Sequence, residues 1–209
     1  MKVDITNVVA PFLDNRPKPL DTKKEFSIVV PIFVWEGKMS FLFQVRSMNL
    51  SRQPGQICFP GGALELKETI KEGAIRETCE ELGLDKKDVK VVGQLDFLAS
   101  PYNTVLYPFL ALIYKNPQTL NINKDEVSSV FTIELNEALR LTPQLSVMDV
   151  KPLPKNDFPY ELVDKNKNYN WSHGDYPIYF YQYQDKVIWG FTARIFKDVL
   201  DKIKAEKNL

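Results

Sequence analysis

The chain has 209 residues, and its 27 lysines and arginines balance 27 aspartates and glutamates, so its formal net charge is zero. This length predicts one domain with elaborations, and the absence of a basic tract argues against a protein that binds nucleic acid by neutralising phosphates. No apolar run approaches the ~18 residues of a membrane span, so we expect no membrane partner and a cytoplasmic location.

The first predicted elements are an N-terminal arm and a hairpin. The arm covers residues 1–25; it is either loosely held or forms a short helix around its apolar residues, which are Val8, Val9, Phe12 and Leu13. The stretch 26–35 is rich in β-branched and aromatic residues and predicts a buried strand. Glu36-Gly37 is a turn signal, and 39–45 predicts the returning strand.

The next predicted element is a helix that carries three carboxylates on one stripe. Thr69 and Glu72 form a capping-box pattern, and Gly83 favours a left-handed end, so the helix is predicted to start near Ile70. At about 100° per residue, one face holds Glu77, Glu80 and Glu81. The opposite face, which can pack on a core, holds Ile75, Thr78, Cys79 and Leu82.

The acidic stripe has two explanations. It is either a solvated face or a site for a hard cation, because Mg²⁺ and Mn²⁺ prefer oxygen ligands. The turn Pro60-Gly61-Gly62 just before the helix favours the cation site, since glycine lets the backbone come close to a metal or ligand.

The rest of the chain alternates short strands with loops. Strands are predicted over 89–98, 107–114 and 130–133, with a helical turn or two over 135–141. Four prolines and many polar residues predict a long loop or insertion over 150–177. The final predicted elements are a hairpin of 178–183 with 186–189 and an amphipathic helix over 192–205.

The glycine turn and the acidic helix together resemble the Nudix box. The residues that carry this resemblance, at fixed spacing, are Gly62, Glu68, Arg76, Glu77, Glu80, Glu81, Gly83 and Leu84. The resemblance implies an α/β (α+β) fold, a Nudix-type α/β/α sandwich with a mixed β-sheet, spanning 26–209 as a single domain. It implies hydrolysis of a pyrophosphate bond with Mg²⁺ or Mn²⁺. The implied metal ligands are the Gly62 carbonyl, Glu77, Glu80 and Glu81, and Glu68 and Arg76 are the implied structural pair.

A second pattern resembles the coenzyme A pyrophosphatase branch of the same family. It comprises Arg46-Ser47, Gly55-Gln56 and the stretch 59–62, with a second arginine at Arg52, one residue later than in the branch pattern. The stretch 188–195 is also similar to the C-terminal segment of that branch. This resemblance implies a coenzyme A-like nucleotide as substrate, bound by Arg46, Arg52 and Gln56. The alternatives are another nucleoside diphosphate derivative, such as ADP-ribose or a dinucleotide, and a regulatory Nudix domain that only binds its ligand.

Several residues keep two interpretations. Glu126 precedes a predicted strand and is either a further ligand or catalytic base, alongside Glu77, Glu80 and Glu81, or an exposed loop acid. Arg46 either grips phosphate or ends a strand facing water. His173 is predicted at the surface, and Cys58 and Cys79 are predicted to be free thiols. The protein is expected to be a monomer or a homodimer.

Overall fold

The computed structural model describes residues 19–21, 24–163 and 169–206, and a mixed sheet lies at its centre. Its strands are β1 (Lys24–Trp35), β2 (Lys38–Arg46), β3 (Ile57–Cys58), β4 (Gly61–Ala63), β5 (Val89–Gln94), β6 (Leu98–Ser100), β7 (Thr104–Ile113) and β8 (Val127–Glu134). The order of the main strands is β3-β2-β1-β7-β5, with β4 paired to β1, β6 to β7 and β8 to β2. Strands β1 and β7 are parallel, whereas the other pairs are antiparallel.

The predicted β1–β2 hairpin is confirmed. Trp35 pairs with Lys38, so the loop consists of Glu36 and Gly37 alone. Both loop residues have positive φ, 48° and 73°, which is the conformation of the tight turn that fits the twist of a two-residue hairpin.

The helices are α1 (Ile70–Leu82), α2 (Leu135–Ala138), α3 (Tyr160–Val163) and α4 (Gly190–Glu206). The predicted limits of α1 are confirmed: Thr69 and Glu72 form both hydrogen bonds of a capping box, and Gly83 ends the helix with φ 64°. A Cβ at Gly83 would lie 2.2 Å from the Asn121 carbonyl oxygen, so both the backbone conformation and the space require glycine.

Helices cover both faces of the central sheet, as the predicted α/β/α sandwich requires. On one face, Ala74 and Leu82 of α1 share a core with Val29, Phe33 and Leu42. The other face packs on α4 and on a second, three-stranded sheet, whose members are β9 (Gln144–Val150), β10 (Gly174–Tyr183) and β11 (Lys186–Trp189). The centre of this second core is the ring of Phe196, which lies 5.1 Å from the rings of Phe41 and Phe43.

The structure differs from the sequence predictions in the middle of the chain. The single strand predicted over 89–98 is two strands, β5 and β6, which both pair with β7 and are separated by residues 95–97. The predicted loop over 150–177 is shorter, since β9 reaches Val150 and β10 already begins at Gly174. The helix suggested around residues 8–13 lies outside the described residues. Within the ranges described, no helix is long and apolar enough to cross a membrane.

Candidate functional site

Glu81 is a buried carboxylate on the inner side of α1. Only 3% of the residue is exposed, although helical geometry predicted that Glu81 lies on the face opposite the apolar one. The main-chain N–H of Gly61 donates to Glu81 Oε2 at 2.8 Å, and Gln44 Nε2 donates to Glu81 Oε1 at 2.9 Å. Burial raises the pKa of Glu81 to about 7, because a charged carboxylate is poorly solvated in the protein interior.

Gln44 is a site residue that the sequence analysis did not assign. Its side chain is fully buried in the middle of β2, between the apolar residues Phe43 and Val45. Its Nε2 also lies 3.6 Å from Cys58 Sγ, while Gln44 Oε1 has no hydrogen-bond partner within the described structure. The sequence signal that could have identified Gln44 is a glutamine at an inward position of an apolar strand, since a buried amide needs hydrogen-bond partners.

Arg76 is hydrogen-bonded to three carboxylates of the Nudix box. Its Nε and Nη2 donate to the two oxygens of Glu68 at 3.0 and 2.9 Å, which is the bidentate geometry of a strong ion pair. Its Nη1 donates to Glu77 Oε1 at 2.8 Å and to Glu80 Oε2 at 3.1 Å. The hydrogen bonds that Arg76 donates to Glu68 raise the pKa of the Arg76 guanidinium and lower the pKa of the Glu68 carboxyl.

The predicted trio of Glu77, Glu80 and Glu81 does not converge on one point. Arg76 is hydrogen-bonded to Glu77, whose side chain is 19% exposed, and to Glu80, whose side chain is 55% exposed, whereas Glu81 turns inward to Gln44. In the ranges that the structure describes, no three acidic, histidine or cysteine side chains form a ready-made metal site. The stripe is therefore divided by its partners: Glu81 is hydrogen-bonded to neighbouring strands, whereas Glu77 and Glu80 are hydrogen-bonded to Arg76.

Gly62 leaves room for the Glu77 carboxyl group. A Cβ at Gly62 would lie 2.3 Å from Glu77 Cδ and 2.4 to 2.5 Å from the two carboxyl oxygens. Any other residue would push this carboxyl away from the β4 backbone. Burial raises the pKa of Glu77, while its hydrogen bond from Arg76 acts in the opposite direction.

A turn brings Glu126 to the same side of the molecule as Glu77 and Glu81. The Asn123 N–H donates to the Glu81 main-chain carbonyl at 2.9 Å, and the Glu126 N–H donates to the Asn123 carbonyl at 3.1 Å. The Ser47 N–H in turn donates to the Glu126 carbonyl at 2.8 Å. These bonds tie the turn to both α1 and the end of β2, and the negative charge of Glu126 helps to raise the pKa values of Glu77 and Glu81.

These carboxylates and two arginines face one cavity of about 660 Å³, which we call the acidic cavity. Its polar and glycine lining includes Lys24, Arg46, Arg52, Gln53, Gly61, Gly62, Glu77, Glu81 and Glu126. The Arg46 side chain is half-buried; its Nε is buried without a partner among the described residues, and its Nη2 donates to the Arg52 carbonyl at 3.4 Å. Gln56 lies outside this cavity and lines the neighbouring one.

The donor set of the acidic cavity fits a hard divalent cation. Glu77, Glu81 and Glu126 supply carboxylate oxygens, and the Gly62 backbone borders them. Cys58 also lines the cavity, but burial raises the pKa of its thiol to about 11, so it stays protonated and is a poor metal ligand. The anionic donors facing the cavity are therefore oxygens.

Glu80, Glu65 and His173 lie away from this cavity. The Glu80 side chain is 55% exposed and that of Glu65 is 70% exposed, with Glu65 Oε1 3.9 Å from Arg76 Nη1. His173 is exposed, as predicted, and both cysteines are free. Neither Glu80, Glu65 nor His173 lines the acidic cavity.

Comparison with known proteins identifies the class of protein that this fold and cavity define. The NUDIX domain family matches residues 25–154, which include all but the first residue of β1 and the whole acidic helix α1. The chain therefore belongs to the Nudix hydrolase family, whose enzymes act on pyrophosphate bonds.

Two relatives and one solved structure illustrate the similarity. The uncharacterized Nudix hydrolase NudL of Photorhabdus laumondii is 30% identical over 190 residues, which cover 90% of each chain. The peroxisomal coenzyme A diphosphatase NUDT7 of Mus musculus is 35% identical over 116 residues, which are 55% of this chain and 49% of that protein. The crystal structure of a MutT/nudix family protein from Enterococcus faecalis aligns with a TM-score of 0.51 at 14% identity, covering 99% of this chain and 70% of that one.

Proposed function

We propose that this chain hydrolyses the pyrophosphate bond of coenzyme A or of an acylated coenzyme A. The products are 4′-phosphopantetheine, which keeps any acyl group, and adenosine 3′,5′-bisphosphate. The observation that carries the proposal is the place of Arg46, whose half-buried side chain borders both the acidic cavity and the adjoining, largely apolar one. A pyrophosphate at Arg46 would reach the carboxylates on one side and leave its organic group on the other.

The similarity to the mouse coenzyme A diphosphatase supports this substrate, although it extends over only about half of that protein. Arginine suits the proposed role, because its planar guanidinium matches two phosphate oxygens at once. We assign Arg46 and Arg52 to the phosphates and Gln56 to the organic group, since Gln56 lines the adjoining cavity.

The proposed cation is Mg²⁺ or Mn²⁺, held by Glu77, Glu81 and the Gly62 carbonyl. Glu80, which the Nudix box also implies as a ligand, lies outside the acidic cavity and accepts a hydrogen bond from Arg76. Such an ion neutralises phosphate charge and lowers the pKa of a bound water. The rigid helix α1 fixes the spacing of the three glutamates, and the ion pair of Arg76 with Glu68 ties that helix to the loop before it. Glu126, held by the turn at Asn123, either binds the cation or takes the proton from the attacking water.

Product analysis tests the proposal. The protein is incubated with coenzyme A, an acyl-coenzyme A, ADP-ribose and a diadenosine polyphosphate, with Mg²⁺ or Mn²⁺, and products are separated by chromatography. We expect adenosine 3′,5′-bisphosphate from the two coenzyme A compounds and no product when the cation is chelated. Turnover of ADP-ribose or the dinucleotide well above that of coenzyme A would contradict the substrate assignment, and binding without turnover of any compound would favour a regulatory module.

A further inference from the structure

Strand β9 is an edge strand of the second sheet. The strand order of that sheet is β11-β10-β9, and within the described ranges β9 pairs with β10 alone. All seven residues of β9 pair with β10 in consecutive register, from Gln144 with Phe180 to Val150 with Gly174. The other side of β9 therefore presents a regular row of main-chain N–H and C=O groups, to which another strand can pair.

The other edge strands have features that discourage such pairing, and β9 lacks them. β5, at the edge of the central sheet, shifts its register against β7 between Val91 and Gly93 and carries Lys90. β11, at the opposite edge of the second sheet, has only four residues and begins with Lys186. Bulges, short length and lysines are the usual protection of an exposed edge. β9 has seven residues in continuous register and contains neither lysine nor proline.

The side chains of β9 leave apolar surface on both faces of this edge. Leu145 and Val147 are 54% and 52% exposed and point to one face, because side chains alternate along a strand. Met148 points to the other face and is 47% exposed. A strand added beside β9 would therefore cover apolar surface above and below the sheet, in addition to pairing with the main chain.

The sequence of β9 is self-complementary in one antiparallel register. A twofold axis perpendicular to the sheet pairs the same strand of two copies in opposite directions and keeps each face of the sheet continuous. With this axis at Ser146, Leu145 lies opposite Val147 of the partner subunit, so two aliphatic side chains meet. In the next row, Gln144 lies opposite Met148 of the partner subunit.

Charge favours the same register. Asp149 is the only charged residue of β9, and an axis at Ser146 places it opposite Pro143 of the partner subunit, at the end of the paired rows. An axis at Val147 or Met148 would place Asp149 opposite an aliphatic side chain, and an axis at Asp149 would bring two like charges together. Since the formal net charge of the chain is zero, two copies do not repel each other overall.

We propose that two copies of this chain associate by antiparallel pairing of β9 with β9, about a twofold axis at Ser146, to form one continuous sheet across both subunits. Met148 also lines the cavity next to the acidic cavity, so the partner strand covers part of the outer wall of that cavity. The inference does not depend on which compound the protein hydrolyses.

The proposed contact is small, so the dimer should be reversible. A strand of seven residues is roughly 23 Å long, and pairing along this length alone buries less than the about 800 Å² per partner of a standard interface. We therefore expect a dissociation constant in the micromolar range, with the dimer populated at high protein concentration.

Sedimentation velocity at protein concentrations from about 1 to about 200 µM tests this association. The wild type should shift from monomer towards dimer over this range. Ser146→Lys places two lysines opposite each other on the axis and should weaken the dimer at least about fivefold. Gln94→Lys, at an exposed position of β5, is the matched control and should associate like the wild type. A wild type that stays monomeric throughout, or a Ser146→Lys variant that associates like the wild type, would overturn the inference.

Cross-linking tests the register by a second route. In Ser146→Cys the two introduced thiols face each other across the axis, where opposite Cα atoms are about 4.5 to 5.5 Å apart, a separation that a disulfide can span. Mild oxidation should give a covalent dimer from this variant. The wild type, whose two cysteines are half-buried, and Gln94→Cys should stay mainly monomeric under denaturing conditions. Failure of Ser146→Cys to cross-link, or equal cross-linking of Gln94→Cys, would overturn pairing at β9.

Discussion

Glu80 and Glu81 are neighbours on one helix, yet they lie in opposite environments. The Glu80 side chain is 55% exposed and accepts a hydrogen bond from Arg76. Glu81 is 3% exposed, and its partners Gln44 and Gly61 come from two different strands. The same residue type is therefore part of a surface ion network at one position and a buried, partly protonated group with a pKa of about 7 at the next.

This difference separates two kinds of carboxylate on α1. Burying a carboxylate is unfavourable unless it is hydrogen-bonded, and Glu81 retains two donors that come from outside the helix. Such an unfavourable charge is tolerated where function requires it. The outer network, centred on Arg76 and Glu68, instead neutralises the remaining carboxylates and joins the helix to the preceding loop.

The largest expected effect comes from removing the buried charge. Glu81→Gln should lower kcat/KM for coenzyme A by about a hundredfold to a thousandfold, the scale for losing a group that stabilises transition-state charge. The loss of kcat/KM in Glu80→Gln should be at least about tenfold smaller than in Glu81→Gln, because water can more easily replace an exposed side chain. Glu65→Gln, which changes a 70% exposed side chain, is the control and should keep wild-type activity. Equal losses of kcat/KM in Glu80→Gln and Glu81→Gln would contradict the prediction that the two environments give these carboxylates different roles.

The second effect is on the pH dependence of stability without metal. The folded protein holds the Glu81 proton up to about pH 7, whereas the unfolded chain releases it near the usual 4.5. The folded state therefore binds more protons between these values, and its stability should fall as pH rises through them. The contribution of Glu81 to this fall is about 3 kcal/mol.

Urea unfolding at pH 5 and pH 8 in the presence of a chelator measures this contribution. The wild type should lose more stability than Glu81→Gln over this interval, because the variant has no carboxyl to deprotonate. Parallel pH profiles for the two proteins would show that Glu81 is solvated and not buried.

Gln44→Leu should have the next largest effect, because it removes a hydrogen bond that orients Glu81 and lowers its pKa. We expect kcat/KM to fall by about tenfold to a hundredfold, as for other residues that orient metal ligands. The acidic limb of the pH–rate profile should also move to higher pH, which a merely structural defect would not cause. Gln94→Leu, at an exposed residue of β5, should change neither quantity. A loss of rate with an unmoved pH profile would contradict a positioning role.

The smallest predicted effect tests the space above Gly62. Gly62→Ala places a Cβ 2.3 Å from Glu77 Cδ and should displace that carboxyl, lowering kcat/KM roughly tenfold, in line with a misplaced catalytic group. Gly93→Ala is matched, since nothing lies within 4 Å of its Cβ position, and it should retain activity. Full activity in Gly62→Ala would contradict the prediction that activity depends on the position of the Glu77 carboxyl beside Gly62.

The sequence predicted best what short-range interactions determine. The limits of α1 follow from Thr69, Glu72 and Gly83, all within or beside the helix, and the first hairpin follows from its two-residue turn. Strand β9 was missed because it is held by β10, whose first residue, Gly174, pairs with Val150 across a long connection. Six of the seven residues of β9 are exposed, so this strand is held by its pairing with β10 and not by burial of an apolar face.

The same limit applies to the candidate site. The spacing of the Nudix box predicted which carboxylates of α1 belong to the candidate site. It also predicted the ion pair of Arg76 with Glu68, which joins residues only eight positions apart. The burial of Glu81 depends on Gln44, 37 residues earlier, and on the close approach of β4. Helical geometry alone placed Glu81 on the outer face, because it takes no account of which strands lie beside that face.

Equilibrium binding of Mn²⁺ to the wild type and to Glu81→Gln at pH 8 tests most directly whether the buried carboxylate belongs to a cation site. Free Mn²⁺ is followed by its electron paramagnetic resonance signal during titration, with Glu65→Gln as the matched carboxyl-to-amide control. We expect the wild type and the control to bind alike, and Glu81→Gln to lose at least about tenfold in affinity. Equal Mn²⁺ affinity in all three proteins would contradict a role for Glu81 as a cation ligand.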